Sequence, residues 1–315
     1  MFKKTLIAAS LALAAAGAQA AVSVGIDFDG AGSAYTSTGI ATLDWAPDSI
    51  LVNPITGSSV NTAVVGDRVQ TFAQGILGGA YNANNDQVWG SFGAAQQITF
   101  VAAFQEVIHT VGGSIDPGVG SIQLRSIDGG VNYFRIYADS TTAASRLNGT
   151  GYSDGTLILE GIINAYDPST LTGLTDIAST NAVALDTTAL DNSANGNNYS
   201  NIDTVKLQGR ADVIATITSF DKNYFTDLAI GELMNISMTT SVGTPFKEVD
   251  PSKYVAGQLA ADTSVIGTIN GYNGASILLQ SDGSSTFNKV PEPASAALVG
   301  LALAGLGMSR RRAAK

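Results

Sequence analysis

The chain contains no cysteine, so no disulfide braces it, and thiol catalysis, cysteine-based zinc sites and iron–sulfur clusters are excluded. Histidine is nearly as scarce. His109 is the only one, so a multi-histidine zinc site cannot be built. A Ser-His-Asp triad would need His109 as its base and Ser91, Ser114 or Ser121 as nucleophile, and none of these serines sits in a nucleophile-elbow pattern. His109 reads instead as a structural or solvated residue at a strand end. Basic residues are few as well, and unevenly placed. Six of the sixteen (Lys3, Lys4, Arg310, Arg311, Arg312 and Lys315) lie at the two ends, with one of the twenty-six acids, Glu292. The body therefore keeps ten bases against twenty-five acids. A surface this acidic repels nucleic acid and anionic lipid, and instead stays soluble by self-repulsion or attracts divalent cations. Nucleic acid is excluded as a partner.

Met1 to Ala20 has a positive start at Lys3 and Lys4, an apolar stretch from Leu6 to Ala16 and the small-x-small site Ala18-Gln19-Ala20 before Ala21. This pattern predicts a secretory signal peptide over residues 1–20, cut between Ala20 and Ala21.

The other end has three parts. In Val290-Pro291-Glu292-Pro293 two prolines fix φ on either side of one carboxylate and remove two backbone donors, which predicts an extended, unpaired segment suited to an enzyme cleft. The run Ala294 to Met308 is uncharged and repeats small residues at helical spacing. As a helix it is about 22 Å long against a hydrocarbon core of about 30 Å, a short transmembrane helix that needs local thinning. Arg310, Arg311 and Arg312 hold its far end on the cytoplasmic side. This tail, residues 290–315, closely resembles the PEP-CTERM sorting signal of Gram-negative bacteria that make exopolysaccharide. The resemblance implies recognition at Pro291, Glu292 and Pro293 by an exosortase, a membrane transpeptidase-like enzyme. It further implies transient residence in the inner membrane after passage through the secretion machinery, and an extracellular or cell-surface destination.

The body, residues 21–289, is rich in Gly, Asn, Asp, Ser and Thr, with short β-branched apolar runs. Strands are predicted over Ile98–Phe104, Ser121–Arg125, Val131–Ala138, Thr156–Ile163, Val205–Gly209, Asp212–Phe220 and Ile236–Thr240. Asp128-Gly129-Gly130, Asp154-Gly155 and Asp282-Gly283 read as turns. Ala178 to Asp203 shows some helical spacing before a polar surface loop at Asp191–Asn198. The fold class is all-β, an antiparallel β-sandwich, jelly-roll-like in one variant, in a single domain with no dividing linker.

Three body stretches, Phe134–Ala138, Gly149–Leu159 and Thr244–Ser252, resemble the flocculation-associated branch of the PEP-CTERM proteins. That resemblance implies a non-enzymatic role: association with exopolysaccharide in flocs or biofilm. It brings no catalytic residues.

Three candidate chemistries remain in the body. Tyr133, Arg135 and Tyr137 share one face of a predicted strand and Phe134 takes the other. With Phe134 inward, two flat rings and a guanidinium would face solvent and contact sugars; a half-buried edge strand is the plainer reading. No cofactor is expected, calcium being the alternative. Asp191-x-Ser193-x-Asn195-Gly196 copies the start of a hand-type calcium loop, but its twelfth position is Ile202 instead of Glu, and Asp27 with Asp29 makes a second oxygen-rich corner without a full ligand set. Glycoside hydrolysis needs a defined carboxylate pair in an aromatic-lined cleft, and Trp45 and Trp89 offer little lining. The expectation is an exopolysaccharide-associated matrix protein, with a calcium-dependent carbohydrate-binding module and a secreted glycan hydrolase as alternatives.

Overall fold

The structure is a computed structural model that describes residues 23–32, 36–56, 64–90, 97–113, 118–140, 143–144, 151–182, 207–240 and 277–288. The predicted signal peptide with Ala18, Ala20 and Ala21, the predicted loop at Asp191–Asn198 and the tail with Pro291, Glu292, Pro293, Arg310, Arg311 and Arg312 lie outside them. Twelve strands and no helix are present among the described residues. In chain order they are β1 Val24–Asp27, β2 Thr36–Pro54, β3 Arg68–Asn82, β4 Gln87–Gly90, β5 Gln97–Gly113, β6 Gly118–Ile127, β7 Tyr133–Asp139, β8 Thr156–Ile163, β9 Leu174–Ala182, β10 Leu207–Phe220, β11 Leu233–Thr240 and β12 Ile277–Asn288. They belong to one compact unit, Ala21–Phe287, and to one hydrogen-bonded sheet.

The expected antiparallel all-β architecture is present, and the sheet closes on itself. Closure depends on two long strands that each change partner halfway. β5 pairs with β3 along one side; along the other it pairs with β7 through Gln97–Ala103 and then with β6 through Gln105–Gly113. β10 pairs with β11 on one side, and on the other with β9 through Leu207–Asp212 and β8 through Ala215–Phe220. Two routes, β7–β8 and β6–β9, thus connect β5 to β10, and the path returns through β11, β12, β2 and β3. Each route completes a ring of eight strands, an even number that lets every neighbour run antiparallel.

Where one face meets solvent the strands alternate strictly. On β10, Ala211, Val213, Ala215 and Ile217 are buried and the residues between them are partly exposed; β11 does the same with Met234, Ile236 and Met238. The centres of β3 and β5 are different, because Val69–Gly75 and Ile98–Phe104 are buried on both faces. Hydrogen bonds account for most of the polar groups there, Gln74 Oε1 being buried without a partner among the described residues. Gln70 donates to the Val131 carbonyl at 3.0 Å, Gln74 to Asp48 Oδ1 at 3.1 Å and Thr99 to the Tyr152 carbonyl at 2.7 Å. The buried Tyr152 hydroxyl in turn donates to Asp48 Oδ2 at 2.5 Å.

Some predicted segments are drawn differently. Val205–Gly209 is not a separate strand: from Leu207 onward it is the start of β10, kept extended by pairing with β9. Asp282-Gly283 is no turn but lies inside β12 at a break in register against β2. Its glycine stands opposite Trp45, whose Nε1 donates to Ser285 Oγ at 2.8 Å. Small residues on β12 thus make room for the largest buried side chain. Ala178–Ala182, with its helical spacing, is strand, because β6 and β10 supply ladders on both sides. Asp128-Gly129-Gly130 is the expected turn, with φ of 100° and 67° at its two glycines.

Trp45 meets Phe100 edge-on at 4.8 Å between ring centroids, and Phe100 stacks on Phe134 at 5.5 Å. Gly75 leaves the space for this: a Cβ there would lie 2.4 Å from Phe100 Cε1. Gly75→Ala is expected to lower stability by about 1–2 kcal/mol, an overpacking cost of about 1–3 kcal/mol less a backbone gain of roughly 0.5–1 kcal/mol. Gly78→Ala, whose Cβ meets its neighbours at 3.5 Å or more, should be neutral or stabilising by up to about 1 kcal/mol, since the backbone gain meets no packing cost. Urea midpoints of the two variants check this, and equal midpoints would contradict the packing account.

Candidate functional site

The three aromatic-strand candidates fall on β7 as expected, with Phe134 and Ile136 fully buried and Tyr133, Arg135 and Tyr137 on the opposite face. The face is not an open platform, however. Arg135 lies over the Tyr133 ring at 4.3 Å, and its Nε donates to Glu160 Oε1 of β8 at 2.8 Å. Tyr133 is only 7% exposed beneath this lid. Tyr137 is half-buried, and burial pushes its hydroxyl above the usual value while Arg135 pulls it back. The structure brings the three residues together but uses them on one another, as a cation–π contact and an ion pair.

The acidic corner at β1 is likewise used internally. Asp27 Oδ2 accepts from the Gly32 amide at 2.6 Å and its Oδ1 from the Asp29 amide at 3.4 Å. Burial raises its pKa, and the bond to Asp29 adds to the rise. Asp29 Oδ1 caps the Ala31 amide. Among the described residues no group of three or more His, Asp or Glu side chains could hold a metal ion. His109 lies partly exposed on β5.

Glu106 is a buried carboxyl that the sequence did not single out. It is 1% exposed and accepts from Thr71 Oγ1 at 2.5 Å and Thr175 Oγ1 at 2.6 Å. Ile50, Val52, Phe104, Ala211 and Met238 line the same recess. Burial raises its pKa, and the two hydroxyl donors only partly offset this. The folded chain therefore holds this proton where the unfolded chain, near 4.5, has released it. Glu106 thus favours the folded state most at low pH, and that contribution shrinks as pH rises from about 4.5 toward the raised value.

The outer face of β10, β11 and β12 carries an open concavity. A groove of about 410 Å³ runs across the three strands and is walled by the turn at 167–173. Arg210 and Asp212 of β10, Asn235 and Ser237 of β11, Thr286 of β12 and Leu171 of the turn line it. The pairing register sets Asp212 opposite Ser237 and Ile214 opposite Asn235, so alternation presents their side chains on one face. Arg210 donates to Asp212 through Nε at 2.5 Å and Nη2 at 3.1 Å. The turn is firmly built: Asp167 Oδ1 accepts from the Ser169 amide and hydroxyl, and the Asp167 amide donates to the Thr172 carbonyl. At its tip Leu171 is 60% exposed with φ of 58°, a left-handed conformation costly for a bulky residue. Sequence reasoning missed this groove. Its only local signal was the polar outward set on β10 and β11.

Comparison with known families matches residues 289–312 to the PEP-CTERM protein-sorting motif. That motif implies an exosortase-targeted secreted protein and is consistent with export to the cell surface or the extracellular space. No curated protein and no solved structure matches it.

Two measurements follow from this chemistry. Glu106→Gln should flatten the decline of stability with rising pH, so that wild type and variant diverge progressively above about pH 4.5; parallel curves of unfolding free energy against pH would contradict the assignment. A double-mutant cycle on Arg135 and Glu160 should give a coupling of only about 0.2–1 kcal/mol, because both side chains keep contact with solvent.

Proposed function

We propose that the processed protein is a non-enzymatic component of the extracellular matrix that associates with exopolysaccharide and promotes cell aggregation in flocs or biofilm. The sorting motif at residues 289–312 carries this reading, since it directs the chain to the surface where such a matrix is assembled. The body segments that resemble the flocculation-associated branch support it. The net negative charge of the body is compatible with it on one condition: contact with an acidic polymer would need bridging cations, whereas neutral sugars would be held by hydrogen bonds and packing. The groove over β10–β12 favours the second route and, with it, carbohydrate binding as the means of association.

Removing residues 290–315, and separately the whole gene, tests the proposal in cells that still make polysaccharide. Both strains are expected to lose settling, with the truncated protein missing from the cell surface. Unchanged settling in both would refute the aggregation role.

A further inference from the structure

We propose that the groove over β10, β11 and β12 seats a segment of neutral, hydroxyl-rich polysaccharide. The proposal rests on the matrix reading above and names the place and the chemistry of the contact. Unlike the β7 face, where Arg135, Glu160 and Tyr133 satisfy one another, this groove holds polar groups that the fold does not consume. Arg210 spends two N–H donors on Asp212, leaving three of its five for a ligand. Asn235 also lines the groove; its Oδ1 is covered and has no hydrogen-bond partner among the described residues, so a turn of the side chain toward the groove would let a ligand pair an acceptor that is ordinarily satisfied. Ser237 and Thr286 add hydroxyls that both donate and accept, matching the dual character of sugar hydroxyls.

Apolar surface is present at the rim. Leu171 and Ile214 flank the polar groups and suit the C–H face of a pyranose ring. The exposed, left-handed Leu171 serves no packing role in the core, and a strained residue at a groove edge is characteristic of a contact site. The volume of about 410 Å³ falls within the roughly 300–1,000 Å³ of small-ligand sites, enough for short stretches of a longer chain. Charge selects the class of polymer. Arg210 and Asp212 neutralise each other within a body of ten bases and twenty-five acids. A polyanion meets net repulsion there, and a polycation finds no excess of carboxylates in the groove itself.

The test is affinity electrophoresis of the secreted, tail-processed protein. The gels contain a neutral β-glucan, dextran, a neutral galactan, an anionic polyuronate or the producing cells' own exopolysaccharide. Leu171→Gly removes the apolar rim while relieving the left-handed backbone, and should fold at least as well as wild type. Ser237→Trp fills the groove from an outward position, and Lys222→Trp on a distant exposed turn is the control. Thermal melts confirm that each variant is folded. Wild type and control are expected to be retarded by at least one neutral polymer, with affinity reduced about tenfold or more in the two groove variants. Equal retardation of wild type and Ser237→Trp overturns the groove assignment and leaves the matrix reading standing. Retardation by the polyuronate alone overturns the neutral-ligand assignment. If no polymer retards wild type, the matrix reading and the groove both fail.

Discussion

Backbone pairing by β5 and β10 is the constraint on which the rest of the protein depends. Each strand has one partner on one side and two in succession on the other, so each must bend or twist to satisfy a second ladder. That geometry closes the sheet through two routes and pairs the backbone groups that an open sheet would leave at its edges. It also places the centres of β3 and β5 where both faces are covered. A chain with no cysteine thereby gains its restraint from non-covalent closure. The burial of Trp45, Phe100 and Phe134 within one aromatic contact series follows from the same arrangement.

Covering both faces has a polar consequence. Gln70, Gln74, Thr99, Asp48 and Tyr152 are buried together with the apolar core, and each hydrogen-bonds to a segment far away in the chain. Unpaired, such groups would each cost about 1–3 kcal/mol, so their pairing disfavours alternative registers as well as supporting the native one. Glu106 differs, because hydroxyls are its partners and its proton is retained by burial. Glu106 is therefore a carboxyl whose preference, like that of the buried Asp27, runs against that of the ion-paired acids of most surfaces.

How much of this could be read from the chain follows from which faces meet water. Asp212–Phe220 and Ile236–Thr240 were nearly legible, because a solvated face imposes the alternation that marks a strand, and Thr156–Ile163 was legible to the residue as a short apolar run bounded by a turn. β2 and β3 were missed: bulges interrupt their period, and a strand covered on both sides carries Gln, Thr and Gly without alternation. Ser281-Asp282-Gly283-Ser284 has turn composition, yet its small residues answer to Trp45, which lies more than two hundred positions earlier. The same distance effect governed the candidate sites. The face shared by Tyr133, Arg135 and Tyr137 was legible, but its lid was not, since Glu160 arrives on the neighbouring strand. The groove is assembled from four separated segments, so no single stretch announces it. The sorting motif was fully legible because its signal is local and linear.

β12 occupies the gap between β2 and β11, and its last residue, Asn288, directly precedes the sorting motif at 289–312. A chain exported from its N-terminus delivers this strand last. Until it emerges, β2 and β11 expose unpaired edges, each a template for another chain's strand. The interval between the arrival of β11 and that of β12, lengthened by the intervening residues 241–276, thus leaves the nearly complete ring with two open edges. Completing the ring and presenting the processing signal are consecutive events in translocation, so the sheet loses its open edges as the sorting motif comes into reach.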